Sequence, residues 1–440
     1  MSHVFHRSLL SDPPLAVRGE GLYIIDDEGN RYLDACGGAA VSNLGHDNAK
    51  VVEAVRRQAE TLPYAHTSFF STQVLEELAD LLVGQAPGME KVLFVSGGSE
   101  AVEAALKLSR QYFVEIGESQ RRLFIGRKQS YHGNTLGALA VGGNQWRRRP
   151  FAPLLSEGHH ISPCFEYRWR DAGENREAFG IRVANELETK ILELGPDNVA
   201  GFIAETIAGA TVGAAAAVPG YFARIREICD RYGVHLILDE VMCGTGRTGS
   251  MFAYEQEGIV PDMVTMAKGL AAGYQPIGAL LTKGYVSDSI RDGSGYFQHG
   301  HTFMGHATAA AAALATLRVI RNESLLENVT ARGTSLRQKL QAELGSHAHV
   351  GDVRGRGLFI GVEFVEDRIT KKPFDPDIKL HQRIKTQAMH AGLLCYAMGG
   401  TVDGRFGDHV LIAPPYTMDV THEDEVVRKL ADAVTAAMPA

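Results

Sequence analysis

At 440 residues the chain has room for two or three domains of ~150 residues, or for one large core with a satellite. Its 45% hydrophobic and 22% charged residues exclude a disordered, collagen-like or coiled-coil protein, and 44 Lys plus Arg against 52 Asp plus Glu leave a net charge of −8. With no basic surplus to recruit nucleic acid or an anionic membrane, and with 48 glycines for tight turns and close backbone approaches, small-molecule chemistry is the expectation.

Five scattered cysteines, Cys36, Cys164, Cys229, Cys243 and Cys395, form no CxxC pair, so neither a disulfide framework nor a zinc ribbon is expected, and no metal site is assigned. The opening residues lack the apolar run of a signal sequence, and the Ala-rich stretches 208–218 and 307–317 are too short to cross a bilayer. A soluble cytoplasmic protein is the reading.

In chain order, two strand-like runs flank Glu28 and Gly29 in LYIIDDEGNRYLDA, which predicts a small antiparallel hairpin. From Asn48 the apolar positions Val51, Val52, Val55, Ala59 and Leu62 recur at helical spacing, and 72–83 repeats the pattern after a Ser71/Thr72 cap. Short apolar runs at 92–95, 122–125, 199–204, 234–238, 263–266 and 277–281 then alternate with helical stretches, the rhythm of a wound, largely parallel sheet. After about residue 321 the texture becomes that of an α+β lobe: a long helix to 344, strands within 350–364, a helix over 377–391, strands at 393–396 and 410–412, and a last helix from Thr421. No repeat or long linker parts the lobes, so close packing with a ligand cleft between them is expected.

Three segments carry candidate chemistry. VLFVSGGSEAVEAALKLSR places Ser96-Gly97-Gly98-Ser99-Glu100 between a strand and a helix, where small residues let backbone N–H groups reach an anion that the helix dipole favours. A glycine turn with Ser99 as a simple cap reads equally well from that segment alone. VHLILDEVMCGTGRTG ends an apolar strand in Asp239 and Glu240, where wound sheets bind ligands, so Asp239 could hold a proton-bearing ring nitrogen; an ordinary exposed strand end is the bland alternative. Its Gly244-Thr245-Gly246-Arg247-Thr248-Gly249 matches the dinucleotide fingerprint literally. The glycines do not follow the strand directly or open a good helix, so a glycine-rich loop near the site is expected instead. PDMVTMAKGLAAGYQP sets Lys268 after a buried-looking strand among small residues. An amine so placed loses proton affinity and becomes a nucleophile toward an aldehyde.

Taken together, Ser99 after a strand, Tyr131-His132-Gly133, Asp239 and Lys268, with the opening RGEGLYIIDDEGNRYLD, Asn43-Leu44-Gly45-His46 and Pro414-Pro415, resemble the class III aminotransferases along essentially the whole chain. The resemblance implies a fold-type I α/β protein using pyridoxal 5′-phosphate, its large domain a mostly parallel seven-stranded sheet flanked by helices, its smaller α+β domain drawn from both chain ends. The implied boundaries are 1–60 and 326–440 for the small domain and 61–325 for the large one. By the same resemblance Lys268 binds the cofactor covalently and shuttles the proton, Asp239 pairs with the pyridinium nitrogen, Tyr131 stacks on the ring with Val241 on its other face, and Gly98 and Ser99 form the phosphate cup. His132 joins the cofactor-binding set, Glu205 supports the phenolic-oxygen side, and Thr302 reaches the phosphate from a neighbouring subunit. A homodimer with shared active sites follows, a tetramer being the alternative.

Two departures matter. The family's Asn-Ser-Gly-Thr is here Ser96-Gly97-Gly98-Ser99, which leans more on backbone donors. Its Glu-Pro-x-x-Gly-Glu-Gly becomes Glu205-Thr206-Ile207-Ala208-Gly209-Ala210-Thr211, without the second glutamate that parks an arginine in the 4-aminobutyrate and ornithine members. The chain therefore looks most like the ω-amino acid:pyruvate and amine:pyruvate transaminases, with Arg405 resembling their mobile carboxylate-binding arginine and Tyr64 and Phe303 as pocket candidates. An amine or amino acid donor and an oxo acid acceptor are the implied substrates. A racemase, aminomutase or decarboxylating transaminase could use the same residues; a nicotinamide-dependent oxidoreductase and a cofactor-binding regulator are more distant alternatives.

Overall fold

The computed structural model describes residues 3–10 and 12–439. Three short strands come first: β1 (Ala16–Glu20), β2 (Tyr23–Asp26) and β3 (Arg31–Asp34), with β2 and β3 forming the expected hairpin. Asn48 caps the helix Ala49–Thr61, its side chain accepting from the Val51 N–H, whereas Thr72 starts the helix Gln73–Val83 without a side-chain cap.

The strands β4 (Lys91–Val95), β5 (Leu123–Arg127), β6 (His159–Ile161) and β7 (Val199–Glu205) follow, then the two-residue β8 (Ile207–Ala208) and β9 (Ala215–Ala216). After them come β10 (His235–Asp239), β11 (Met263–Met266) and β12 (Gly278–Thr282). Seven of these make one sheet in the order β4-β12-β11-β10-β7-β5-β6, in which only β12 runs against the rest. Every residue of β7, β10, β11 and β12 is buried, which is why the central strands read as unbroken apolar runs rather than as alternation. β6 was not anticipated, because His-His-Ile carries no apolar run.

The remaining strands are β13 (Val350–Arg356), β14 (Phe359–Phe364), β15 (Leu393–Leu394), β16 (Tyr396–Gly399) and β17 (Asp408–Ile412). Four form an antiparallel sheet, β13-β14-β17-β16, while β15 pairs in parallel with β3 and joins the last quarter of the chain to its beginning. The long helix expected after about residue 321 is present as Leu325–Leu344, parted by a turn from the helix before it. A buried helix, Ala307–Asn322, ends there, Ser324 adopts a left-handed φ of 50°, and a second helix, Leu325–Leu344, departs after it. The helix expected over 377–391 is a short 3₁₀ turn, Pro376–Ile378, followed by the helix Leu380–His390, with Lys379 left-handed between them. All five cysteines are buried free thiols, and among the described residues no helix is long and apolar enough to cross a membrane.

The antiparallel sheet is tied to the seven-stranded one by a buried charge cluster. Glu363 on β14 has no solvent exposure and pairs with Arg168 at 2.5 Å and Arg354 at 2.8 Å; Arg168 belongs to the short helix Glu166–Trp169 that follows β6. Removing the carboxylate leaves the nearly buried Arg168 without its acidic partner and Arg354 with Asp352 alone. Glu363→Ala is expected to lower unfolding free energy by about 3–5 kcal/mol in urea titrations. A loss below about 1 kcal/mol would show that water takes over the role.

Candidate active site

Because β4, β5, β7, β10 and β11 all run the same way, their carboxyl ends share one edge of the sheet. At or just beyond those ends lie Ser96 to Ser99, Tyr131, Glu205, Asp239 and Lys268, and all of them line a single cavity of about 410 Å³. The reversed strand β12 starts at this same edge, so Gln275, Pro276 and Ile277 close the wall, and Val41 reaches in from the N-terminal segment.

Lys268 follows β11 with a left-handed φ of 47°, an unfavourable conformation for a residue with a side chain, held here by the packing around it. Its ammonium makes no ion pair or hydrogen bond among the described residues. Burial lowers its pKa to about 8, an effect that Asp239 and Glu205 oppose and the positive charge of Arg147 reinforces.

The two nearby carboxylates are already engaged. Asp239 Oδ2 lies 2.8 Å from His132 Nδ1, and its Oδ1 accepts the Val241 N–H at 3.0 Å. An ionised carboxylate can only accept, so the imidazole proton sits on Nδ1, leaving the sealed Nε2 without a partner among the described residues. Glu205 accepts the Tyr131 N–H at 3.1 Å and the Gly209 N–H at 2.9 Å, and burial raises its pKa. Tyr131 is thereby fixed by its backbone while burial raises its phenol pKa.

The helix Gly98–Glu115 points its start at the cavity with Gly97 in the cap position and no side chain capping it, so the bland reading of Ser99 as an N-cap does not hold. Ser99 instead accepts the Asn134 N–H at 3.1 Å through Oγ, which leaves its own proton free to donate. A Cβ at position 98 would come within 2.9 Å of Val241 Cγ1, so only glycine lets the helix start this close to Val241. At Gly133, with φ of 131°, a side chain would collide with Ser99.

Gly98, Ser99, Tyr131, His132, Glu205, Asp239, Val241 and Lys268 are therefore brought together, and Tyr64, Phe303, Thr302 and Arg405 are not among the residues lining this cavity. Tyr64 donates to the Thr302 carbonyl at 2.6 Å and its ring lies 5.9 Å from that of Phe303, making a separate and largely exposed cluster. Arg405 is exposed on a loop turned by Asp403, its guanidinium over the Phe406 ring at 5.2 Å. The 244–249 segment forms turns rather than the start of a helix, and its Arg247 is buried, donating to the carbonyls of Leu358 and Pro414; the segment does not line the cavity. Sequence reasoning missed Met242, Gln275 and Ile207 in the wall, and Arg147, whose guanidinium carbon lies 4.3 Å from the Tyr131 ring centre.

The family model for Aminotransferase class-III matches residues 10–434. An uncharacterised aminotransferase of Schizosaccharomyces pombe is 44% identical over 441 aligned residues, covering 100% of this chain and 96% of its own. The putrescine–pyruvate aminotransferase of Pseudomonas aeruginosa is 36% identical, with 96% and 91% covered. Among solved structures, the omega transaminase of Pseudomonas jessenii in complex with PMP superposes with a TM-score of 0.93 at 35% identity, covering 99% of this chain and 96% of that one. The fold and the family match define a fold-type I transaminase, an enzyme of amino-group transfer. The chain belongs to the class III aminotransferases, which depend on pyridoxal 5′-phosphate.

A lowered lysine pKa means a larger neutral fraction at any pH below that of a surface amine. In ligand-free protein, labelling of Lys268 by a small aldehyde, trapped with borohydride and followed by mass spectrometry, should rise through a midpoint near pH 8. The exposed lysines should follow at ~10.4, and coincident midpoints would contradict the effect of burial.

Proposed function

We propose that this transaminase moves an amino group from an amine or ω-amino acid to an oxo acid, with pyruvate as the acceptor, in two half-reactions through Lys268. The observation that carries the reading is the convergence, in one cavity, of an unpaired amine, a carboxylate held by a histidine, an uncapped helix start and an aromatic wall.

Pyridoxal phosphate fits that set. The N–H groups at the start of the helix Gly98–Glu115 and the free Ser99 hydroxyl proton suit a phosphate, Tyr131 and Val241 suit the two ring faces, and Asp239 suits a ring nitrogen that must stay protonated. When bound, the cofactor supplies an electron sink for the electron pair left on the donor carbon. Lys268, as its neutral amine, takes the proton from that carbon and later delivers one in the reverse sense. His132 donates to Asp239 and keeps the carboxylate from turning toward the lysine, while Glu205 holds Tyr131 in place through its backbone N–H. Arg405, on its exposed loop, pairs the carboxylate of the oxo acid and withdraws for an apolar amine.

The exposed cluster of Thr302, Tyr64 and Phe303 belongs, in this reading, to the active site of a second copy. Phe69, Phe70 and Tyr296 are also exposed, an amount of apolar surface that suits a homodimer. The absence of a second glutamate after Glu205 supports pyruvate over 2-oxoglutarate.

Lys268→Ala should lose the absorbance of the lysine-bound cofactor and lower turnover roughly a thousandfold or more. Asp239→Asn, which still accepts a hydrogen bond but carries no charge, should cost about 100-fold in kcat while retaining the fold. Retained turnover in Lys268→Ala, or a donor screen in which 2-oxoglutarate but not pyruvate serves, would overturn the assignment.

A further inference from the structure

The segment Trp146-Arg147-Arg148-Arg149 follows the cavity wall in sequence, and its arginines are used very differently. Arg148 donates to the main-chain carbonyls of Leu139, Ala140 and Gly142. Arg147 is half-buried, makes no ion pair or side-chain hydrogen bond among the described residues, and has its Nε sealed from water without a partner. Its guanidinium lies over two aromatic rings, 4.3 Å from the centre of Tyr131 and 5.5 Å from that of Trp146.

The backbone beneath it is equally fixed. Asn144 caps the short helix Gln145–Arg148 by accepting the Arg147 N–H at 3.2 Å, and its amide donates to Gln129 Oε1 at 3.2 Å. Gln129 in turn donates to the carbonyls of Gly400 and Thr401, at the root of the loop that carries Arg405. Gly404 of that loop abuts the backbone of Trp146. One guanidinium therefore lies over two aromatic rings beside the site, and another stands on an exposed turn.

A partly desolvated guanidinium with no counter-ion among the described residues, whose charge also disfavours the protonated form of Lys268, is an unbalanced arrangement that an anion would balance. Arg147 does not line the cavity but rests on a residue that does, so an anion it holds lies beside the cavity rather than against Lys268.

We propose that Arg147 is the fixed binding residue for the distal acid group, carboxylate or sulfonate, of an ω-amino acid donor. The assignment rests on the transaminase reading and narrows it: the preferred donors are acid-ended, and Arg405 is left to serve the oxo acid. A guanidinium fits a planar carboxylate and a tetrahedral sulfonate alike, whereas a lysine at the same place would offer only a point charge.

The test reads the donor half-reaction, in which the cofactor absorbance of the holoenzyme changes on mixing with a donor and no oxo acid. β-Alanine, 4-aminobutyrate and taurine are compared with uncharged 1-phenylethylamine in wild type, Arg147→Gln, Arg147→Lys and Arg405→Gln. Arg147→Gln should raise the half-saturating concentration of the best acid-ended donor at least tenfold and that of 1-phenylethylamine less than twofold. Arg147→Lys should recover part of the loss, and Arg405→Gln should leave this donor preference in place. The proposal is overturned if no acid-ended donor reacts with wild type, if both donor classes weaken together, or if Arg405→Gln alone produces the effect. Failure of the transaminase reading shows separately, as a donor half-reaction that no added pyruvate reverses.

Discussion

The site depends on an amine kept without a counter-ion close to two carboxylates. An ionised Asp239 or Glu205 free to rotate toward Lys268 would form an ion pair, return the lysine's proton affinity to that of a surface residue and pin its side chain. Neither is free. His132 and the Val241 N–H occupy Asp239, and the N–H groups of Tyr131 and Gly209 occupy Glu205. The lysine's pKa of about 8 is the balance between burial, which lowers it, and these restrained charges, which raise it. His132 and two stretches of main chain therefore help to set that balance alongside the burial itself.

The sheet supplies that restraint cheaply. Strands buried on both faces offer few polar side chains along their length, so the charged residues here collect where the strands end. Glu205 and Asp239 are the last residues of β7 and β10, paired directly across the ladder, and Lys268 stands two residues past the end of the neighbouring β11. The reversed direction of β12 adds a wall that parallel strands alone would not give, because the residues leading into it rather than those leaving it meet the cavity.

Much of this was legible in the sequence. The apolar runs marked six of the seven strands of the main sheet, and the residues following them marked most of the cavity wall. What escaped did so for identifiable reasons. β6 is His-His-Ile and draws its stability from pairing with β5 rather than from its own composition. The helix Ala307–Asn322 read only as an apolar stretch, since alanine says little about what a helix packs against; here it packs closely on the helices Ala49–Thr61 and Gln73–Val83. The left-handed Ser324 gave no warning, as serine is not the residue usually found there. Arg147 hid in a run of three arginines that reads as solvated surface, because the ring it rests on lies sixteen positions earlier in the chain.

The parallel pairing of Leu393–Leu394 with Leu33–Asp34 has a consequence for biosynthesis. The ribbon β1-β2-β3 leaves the ribosome long before its fourth strand exists, so it must stay exposed or find provisional cover until the whole of 35–392 has been made. A nascent chain that stalls late, short of residue 393, would carry a finished catalytic sheet beside an unclosed edge, the kind of surface that chaperones recognise and that aggregates recruit.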